Sequence, residues 1–175
     1  LWATEFPGLM KGIVSIAGSL DRWDVTKEKI ELIEKPFSDC KNWNKGNFYG
    51  LDDKEIKDAL IDYRINVLKH YGFEDFLKTK TNDPEKIKSI IIDQALGWAN
   101  HFDPNSLIIL RRANYNSSAL KKLENIKIPI LKVLAKTDKV TNMDKGYETI
   151  EYFKSLKIKY KFLELNTEYG HYGPM

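Results

Sequence analysis

The chain has 175 residues, of which 42% are hydrophobic, 30% charged and 12% aromatic. This length and composition fit a folded domain with a substantial core, and they exclude collagen-like, low-complexity and disordered chains. The net charge of +3 comes from 28 Lys and Arg against 25 Asp and Glu without a basic stripe, so we expect no nucleic-acid partner. No apolar run approaches the roughly 20 residues that span a bilayer, so we expect no membrane partner either.

Three apolar segments predict buried strands. They comprise residues 12–17, 129–135 and 160–165. Continuous apolar, β-branched runs of this length are typical of parallel strands that are covered on both faces of the sheet. The sequence therefore predicts an α/β fold with parallel core strands.

Helical patterns occupy the chain between these strands. Residues 52–71 repeat apolar side chains at helical spacing, and the Asp-Pro pairs at 83–84 and 103–104 predict the starts of two further helices. Another helix is predicted at 142–156, whereas Ser38 is expected in a polar loop. The order of elements predicts a β/α core that is interrupted by a large helical insertion.

Two residues with acid–base chemistry follow predicted strands. Asp138 comes after the second strand, and His171 lies in the loop after the third. Functional groups in parallel sheets gather beyond the carboxyl ends of the strands, so we expect these two side chains within hydrogen-bond reach. An aspartate can orient a histidine that acts as a base near neutral pH. An Asp at this place is also typical of a turn or a helix cap, so both interpretations stay open.

An acid and a base in this order suggest an α/β-hydrolase, whose nucleophile occupies a G-x-S-x-G turn between a strand and a helix. The sequence lacks this turn, because Ser15, Ser19 and Ser38 have no flanking pair of glycines. Cys40 has no neighbouring histidine, and as the one cysteine it excludes an intrachain disulfide. We therefore expect these residues to be part of a longer protein.

Four segments resemble motifs of the homoserine O-acetyltransferase group of α/β-hydrolases. Residues 1–17 resemble its L-x-W-A-x-x-Y-P segment with the strand that follows, and residues 39–49 resemble its D-P-x-W-x-x-G-x-Y loop. Residues 102–113, with the sequence FDPNSLIILRRA, resemble its F-D-x-N-S-Y-L-Y-L-x-R-A lid helix. Residues 123–129 resemble its L-x-x-I-x-x-P segment, and the lid match is the most specific of the four.

The resemblance implies a partial α/β-hydrolase fold, with core segments at 1–19 and 121–175 and a helical lid at 20–120. It implies Asp138 and His171 as catalytic acid and base, with a serine nucleophile upstream of the given residues. It implies no resident cofactor and no metal. Acetyl-CoA would be a co-substrate that gives its acetyl group to a small hydroxyl compound.

The resemblance also suggests two substrate-binding residues. Arg64 is the nearest arginine to the one that the family's lid presents to the acceptor's carboxylate, and Tyr172 stands where the family has an acidic residue after its histidine. The implied partners are a small-molecule substrate and a second copy of the chain, paired through the lid. Methionine biosynthesis and a cytoplasmic location are implied as well.

Three functions stay open on this basis. The first is a serine acyltransferase of the homoserine O-acetyltransferase type. The second is a carboxylic-ester hydrolase on the same fold, which the uncharged Tyr172 favours. The third is an inactive fragment that lacks its nucleophile.

Overall fold

A computed structural model of the chain describes residues 1–20, 26–141 and 143–173. The described residues form two compact units. The sheet unit combines the described parts of residues 1–23 and 117–175, and the helical unit is the described part of residues 24–116. The predicted lid overlaps the helical unit, and its function as a lid stays a prediction.

The helices of the described ranges, in chain order, are α1 (Trp2–Glu5), α2 (Lys27–Ser38), α3 (Lys54–His70), α4 (Phe73–Lys78), α5 (Pro84–Ala99), α6 (Pro104–Tyr115) and α7 (Met143–Ser155). Single 3₁₀ turns occur at Asn44–Gly46, Leu120–Asn125 and Gly170–Tyr172. Asn142, the predicted first residue of the last helix, lies outside the described residues. No helix of the described ranges is long and apolar enough to cross a membrane.

The strands of the sheet unit are β1 (Ile13–Ile16), β2 (Ile130–Ala135) and β3 (Tyr160–Leu165). They form a parallel sheet in the order β1-β2-β3, in which Ile130 lies opposite both Ile13 and Tyr160. All three predicted segments are thus strands of one sheet. The predicted α/β fold class with parallel core strands is confirmed.

Helix α7 lies against the central strand of this sheet. Ile150 and Phe153 of α7 form a buried cluster with Ile130 of β2. Gly146 allows the close approach of helix and strand, because a Cβ at this position would lie 2.3 Å from Leu134 Cδ1. The strand–helix–strand succession of β2, α7 and β3 places the ends of β2 and β3 side by side.

Strand β1 differs from its prediction. Its Val14 and Ile16 side chains are 63% and 54% exposed, whereas β2 is buried along nearly its whole length. These side chains share one face of the sheet with Leu163 of β3, which is 47% exposed, so within the described ranges this face is open at both edge strands. The prediction of cover on both faces holds for β2 and is wrong for β1 and for β3.

The helical unit confirms both Asp-Pro start signals. The Asp83 carboxylate accepts hydrogen bonds from the Glu85 and Lys86 amides at 3.0 and 3.1 Å, and Asp103 accepts one from the Ser106 amide at 2.8 Å. Such caps satisfy amide groups that lack a partner in the first turn of a helix. The core of the unit contains the buried side chains of Phe37, Trp43, Phe48, Ile56, Leu60, Ala99, Leu107 and Ile108.

The sequence analysis did not predict α2 and α4, and it placed Ser38 in a loop. Ser38 is instead the last residue of α2. Pro36 is tolerated in α2 because it lies close to the end of the helix, where little of the helix follows it. Phe37 is fully buried, so tertiary packing stabilises this last turn.

Candidate active site

The loops after β2 and β3 bring Asp138 and His171 together. His171 Nδ1 lies 2.9 Å from Asp138 Oδ2. The Asp138 side chain is fully buried, and the His171 side chain is 16% exposed. A carboxylate at this distance favours the tautomer in which Nδ1–H donates to Oδ2, so Nε2 becomes the basic nitrogen of the ring.

The second carboxylate oxygen of Asp138 fixes its own loop. Oδ1 accepts hydrogen bonds from the Val140 and Thr141 amides at 2.8 and 2.9 Å. The sequence left open whether Asp138 faces a histidine or organises a turn. The geometry shows both contacts, because Oδ2 faces His171 and Oδ1 organises the turn. The two amides hold the carboxylate in a fixed orientation.

Thr137 connects this loop to the one that carries His171. Its Oγ1 donates to the Thr167 carbonyl at 2.6 Å and accepts from the Gly170 amide at 3.0 Å. Gly170 has a φ of 56°, which a glycine adopts without steric cost. The sequence analysis did not single out Thr137, whose place directly before Asp138 is visible in the sequence but whose partners are not.

Lys132 is a buried charge in the middle of β2. The residue is 2% exposed, and its Nζ donates a hydrogen bond to the Gly18 carbonyl beyond β1. Burial lowers the pKa of Lys132 to about 8, and attraction to the Asp138 carboxylate opposes this shift. The sequence analysis did not single out this lysine, although a charge inside an apolar strand was its signal.

Arg64 lies on α3 in the helical unit. Its guanidinium carbon is 5.0 Å from the centre of the Trp98 ring, a cation–π distance. Its Nε is buried and finds no hydrogen-bond partner within the described residues. Arg64 lines a cavity of about 430 Å³ together with Gln94, His101 and Phe102. The substrate-binding role of Arg64 stays a prediction.

Tyr172 follows His171 in the turn Gly170–Tyr172 and is half-buried. Its substrate-binding role stays a prediction. Cys40 donates from Sγ to the Pro36 carbonyl at 3.2 Å, and burial, with the nearby Glu55 and Asp39 charges, raises the pKa of its thiol. Among the residues that the structure describes, no cluster of three His, Cys, Asp or Glu side chains is arranged to hold a metal ion.

No family model matches the sequence, and no curated protein does. Solved structures do match. Esterase E22 is 20% identical with a TM-score of 0.74, over 97% of this chain and 52% of that chain. Homoserine O-acetyltransferase from Bacillus anthracis is 16% identical with a TM-score of 0.63, over 97% of this chain and 50% of that chain. An acetylester hydrolase from Corynebacterium glutamicum is 14% identical with a TM-score of 0.65, over 98% of this chain and 51% of that chain.

These similarities concern the fold. The chain spans about half the length of the solved structures that it matches. The matched proteins are α/β-hydrolases whose names include both ester hydrolases and an O-acetyltransferase. Together with the parallel sheet and the helical unit between β1 and β2, they show that the chain has part of the α/β-hydrolase fold.

Proposed function

We propose that this chain contributes the acid and the base of a serine-dependent acyl-transfer enzyme. The observation that carries the proposal is the 2.9 Å contact between His171 Nδ1 and Asp138 Oδ2, beyond the carboxyl ends of two adjacent parallel strands. Nucleophile, acid and base occur in this chain order in α/β-hydrolases. The proposed substrate is a small acyl ester or thioester, with acetyl-CoA as the first candidate and no resident cofactor.

In the proposed mechanism His171 moves one proton in each half of the reaction. Nε2 takes the proton of the serine hydroxyl while the serine oxygen attacks the acyl carbon, and the imidazolium then gives that proton to the leaving thiolate or alkoxide. In the second half Nε2 takes a proton from the acceptor, whose oxygen attacks the acyl-serine, and returns it to the departing serine oxygen. The buried Asp138 carboxylate stabilises the imidazolium in both halves.

The nucleophile is proposed to lie outside the given residues, because the sequence contains no G-x-S-x-G turn. Asp138 and His171 alone provide proton transfer without covalent catalysis. We therefore expect the 175-residue chain by itself to be inactive. The working enzyme is proposed to be a cytoplasmic protein that pairs through its lid.

A small hydroxyl compound such as homoserine is the first candidate acceptor. Arg64 supports it, because Arg64 lines a cavity and a guanidinium suits an acceptor that carries a carboxylate. Water is the second candidate, which would make the enzyme a carboxylic-ester hydrolase. The uncharged Tyr172 beside His171 and the fold similarity to two ester hydrolases support this alternative.

The test measures CoA release from acetyl-CoA by the full-length protein, with and without homoserine. Without an acceptor a transferase releases at most one CoA per active site and needs the acceptor for continued turnover, whereas a hydrolase releases CoA continuously without an acceptor. His171→Ala is expected to abolish either activity. His70→Ala, which changes an exposed histidine at the end of α3, is the matched control and should leave the rate unchanged. Unchanged activity in His171→Ala would contradict the proposed mechanism.

A further inference from the structure

The helical unit contains a second cavity, of about 450 Å³, between α3, α4 and α5. Its size is in the range of small-molecule sites, which are concave, mostly apolar and lined by a few polar groups. None of its lining residues belongs to the Asp138–His171 pair or to the Arg64 cavity. It is therefore a separate feature of the fold.

Isoleucines form the floor of this cavity. Ile87 and Ile91 of α5 are 7% and 3% exposed, and Ile65 and Ile92 are half-buried beside them. Ile87 and Ile91 also belong to a buried cluster between these helices, so the floor is part of a packed core. An apolar surface of this kind binds a hydrocarbon chain by removing it from water.

Three exposed lysines line the same cavity: Lys69, Lys78 and Lys88. Lys69 lies four residues after Ile65 on α3, and Lys88 lies four residues before Ile92 on α5. Positions four residues apart share one face of a helix, so each of these two lysines stands beside an isoleucine of the floor. The cavity thus combines an apolar floor with cations.

The charges of this cavity are not balanced by its own acidic groups. Glu74 also lines the cavity, but it pairs with Lys78 at 3.0 Å. Neither Lys69 nor Lys88 forms an ion pair within the part of the chain that the structure describes. Two ammonium groups therefore stay available for an anion that comes from outside.

We propose that this cavity binds an anionic amphiphile, a medium-chain carboxylate, with its hydrocarbon chain on the isoleucine floor and its carboxylate at Lys69 and Lys88. The charge of the lysines selects the anionic head, and the floor selects an alkyl tail. This site is independent of the proposed acyl transfer, because it uses none of the same residues.

The test follows the isoleucine methyl groups of the 175-residue chain by NMR during titration with sodium octanoate, 1-octanol or sodium acetate. Octanoate is expected to shift the methyl signals of Ile65, Ile87, Ile91 and Ile92 while those of the sheet unit stay in place. Acetate, which offers the head without the tail, should cause no shift. Octanol, which offers the tail without the charge, should bind more weakly than octanoate.

The lysines are tested by Lys69→Gln and Lys88→Gln. Each is expected to weaken octanoate binding by roughly twofold to fivefold, the loss of one solvent-exposed ion pair, and to leave octanol binding unchanged. Lys57→Gln on α3 and Lys86→Gln on α5 are matched controls, because both lysines are exposed and neither lines the cavity. Equal binding of octanoate and octanol, or shifts confined to the sheet unit, would overturn the proposal.

Discussion

Thr141 donates a hydrogen bond from Oγ1 to the Ala17 carbonyl, 2.8 Å away, and so joins two loops that are 124 residues apart in the sequence. Ala17 has a φ of 47°, in the left-handed region that costs a non-glycine residue roughly 1–2 kcal/mol. The Ala17 amide donates to the Val133 carbonyl at 3.0 Å. The amide of Ala17 therefore holds the end of β1 to β2, and its carbonyl holds it to Thr141, in the loop that carries Asp138.

Thr141→Val tests this connection, because valine keeps the shape of threonine and lacks its hydroxyl. We expect the free energy of unfolding to fall by about 1–2 kcal/mol, since the buried side chain loses its hydrogen bond to Ala17. Thr141→Ser, which keeps the hydroxyl, is the control and should lose less. Urea denaturation of the three proteins measures the difference. A small loss in Thr141→Val together with a larger loss in Thr141→Ser would show that the methyl group, and not the hydroxyl, stabilises the loop.

Asp138→Asn is expected to change the tautomer of His171. The one carbonyl oxygen of asparagine would keep the Val140 and Thr141 amides, and its NH₂ group would donate to Nδ1, so the ring proton moves to Nε2. Nε2 then no longer accepts a proton, and the activity of the full-length enzyme should fall by about 10⁴-fold.

Long-range ¹H–¹⁵N spectra of the His171 ring, recorded on the 175-residue chain with neutral histidines, measure this tautomer directly. Asp144→Asn, at an exposed position in the first turn of α7, is the control and should keep the proton on Nδ1. If the Asp138→Asn protein also keeps it there, the carboxylate does not set the tautomer.

The sequence was sufficient for the strands and for the Asp138–His171 contact. The three strands are largely apolar segments of the sequence, and the rule that parallel strands end at one edge of the sheet brings the two loops together. The helices with Asp-Pro starts were equally predictable, because a carboxylate cap and a proline in the first turn are local signals. Helix α2 was not predictable in this way, since its last turn depends on the burial of Phe37.

The contacts that orient the pair could not be read from the sequence. Thr137 reaches Thr167 and Gly170, and Thr141 reaches Ala17, through side chains whose partners lie 30 to 124 residues away. Periodicity and turn signals describe neighbours along the chain and contain no such information. The exposed face of β1 was equally hidden, because the sequence pattern of an apolar strand does not show which elements cover it in the fold.

Lys132 is expected to make stability depend on pH. Its pKa is about 8 in the fold, below the ordinary value of 10.5, so between these values the unfolded chain binds more protons than the folded one. The destabilisation from burying the charged ammonium is therefore fully present below about pH 8 and is relieved as the pH rises toward 10.5. Relative to Lys132→Met, which has no such group, the natural protein should gain stability between about pH 7 and about pH 10.

Urea denaturation of the natural protein and of Lys132→Met, at about pH 7 and about pH 10, gives the difference in their free energies of unfolding at each pH. Groups that both proteins share titrate alike, so their contributions cancel in this difference. Lys136→Met, which removes a lysine at an exposed position next to β2, is the control for the substitution as such. A difference between the natural protein and Lys132→Met that stays constant with pH would mean that Lys132 keeps its ordinary pKa in the fold.

Gly146→Ala is expected to destabilise the sheet unit by about 1–3 kcal/mol, because the new methyl group would overlap the buried Leu134 side chain. Gly97→Ala on α5 is the matched comparison, since a Cβ there meets nothing within 4 Å. That substitution should stabilise the protein by about 0.5–1 kcal/mol through helix propensity. If thermal denaturation shows a loss of stability in Gly146→Ala and a gain in Gly97→Ala, the close contact of α7 with β2 is supported. A gain of stability in both variants would contradict it.

Arg64→Met separates a binding role of Arg64 from a structural one. Methionine keeps an apolar side chain against Trp98 and removes both the cation–π contact and the buried, unpartnered Nε, so the two effects on stability oppose each other. We expect the free energy of unfolding to change by less than about 1 kcal/mol.

In the full-length enzyme the KM for a carboxylate-bearing acceptor should rise roughly tenfold or more, the loss of a charge-assisted hydrogen bond. Turnover of acetyl-CoA with a neutral alcohol as acceptor should be unchanged. A large loss of stability with an unaltered KM would instead assign Arg64 to the packing of α3 against α5.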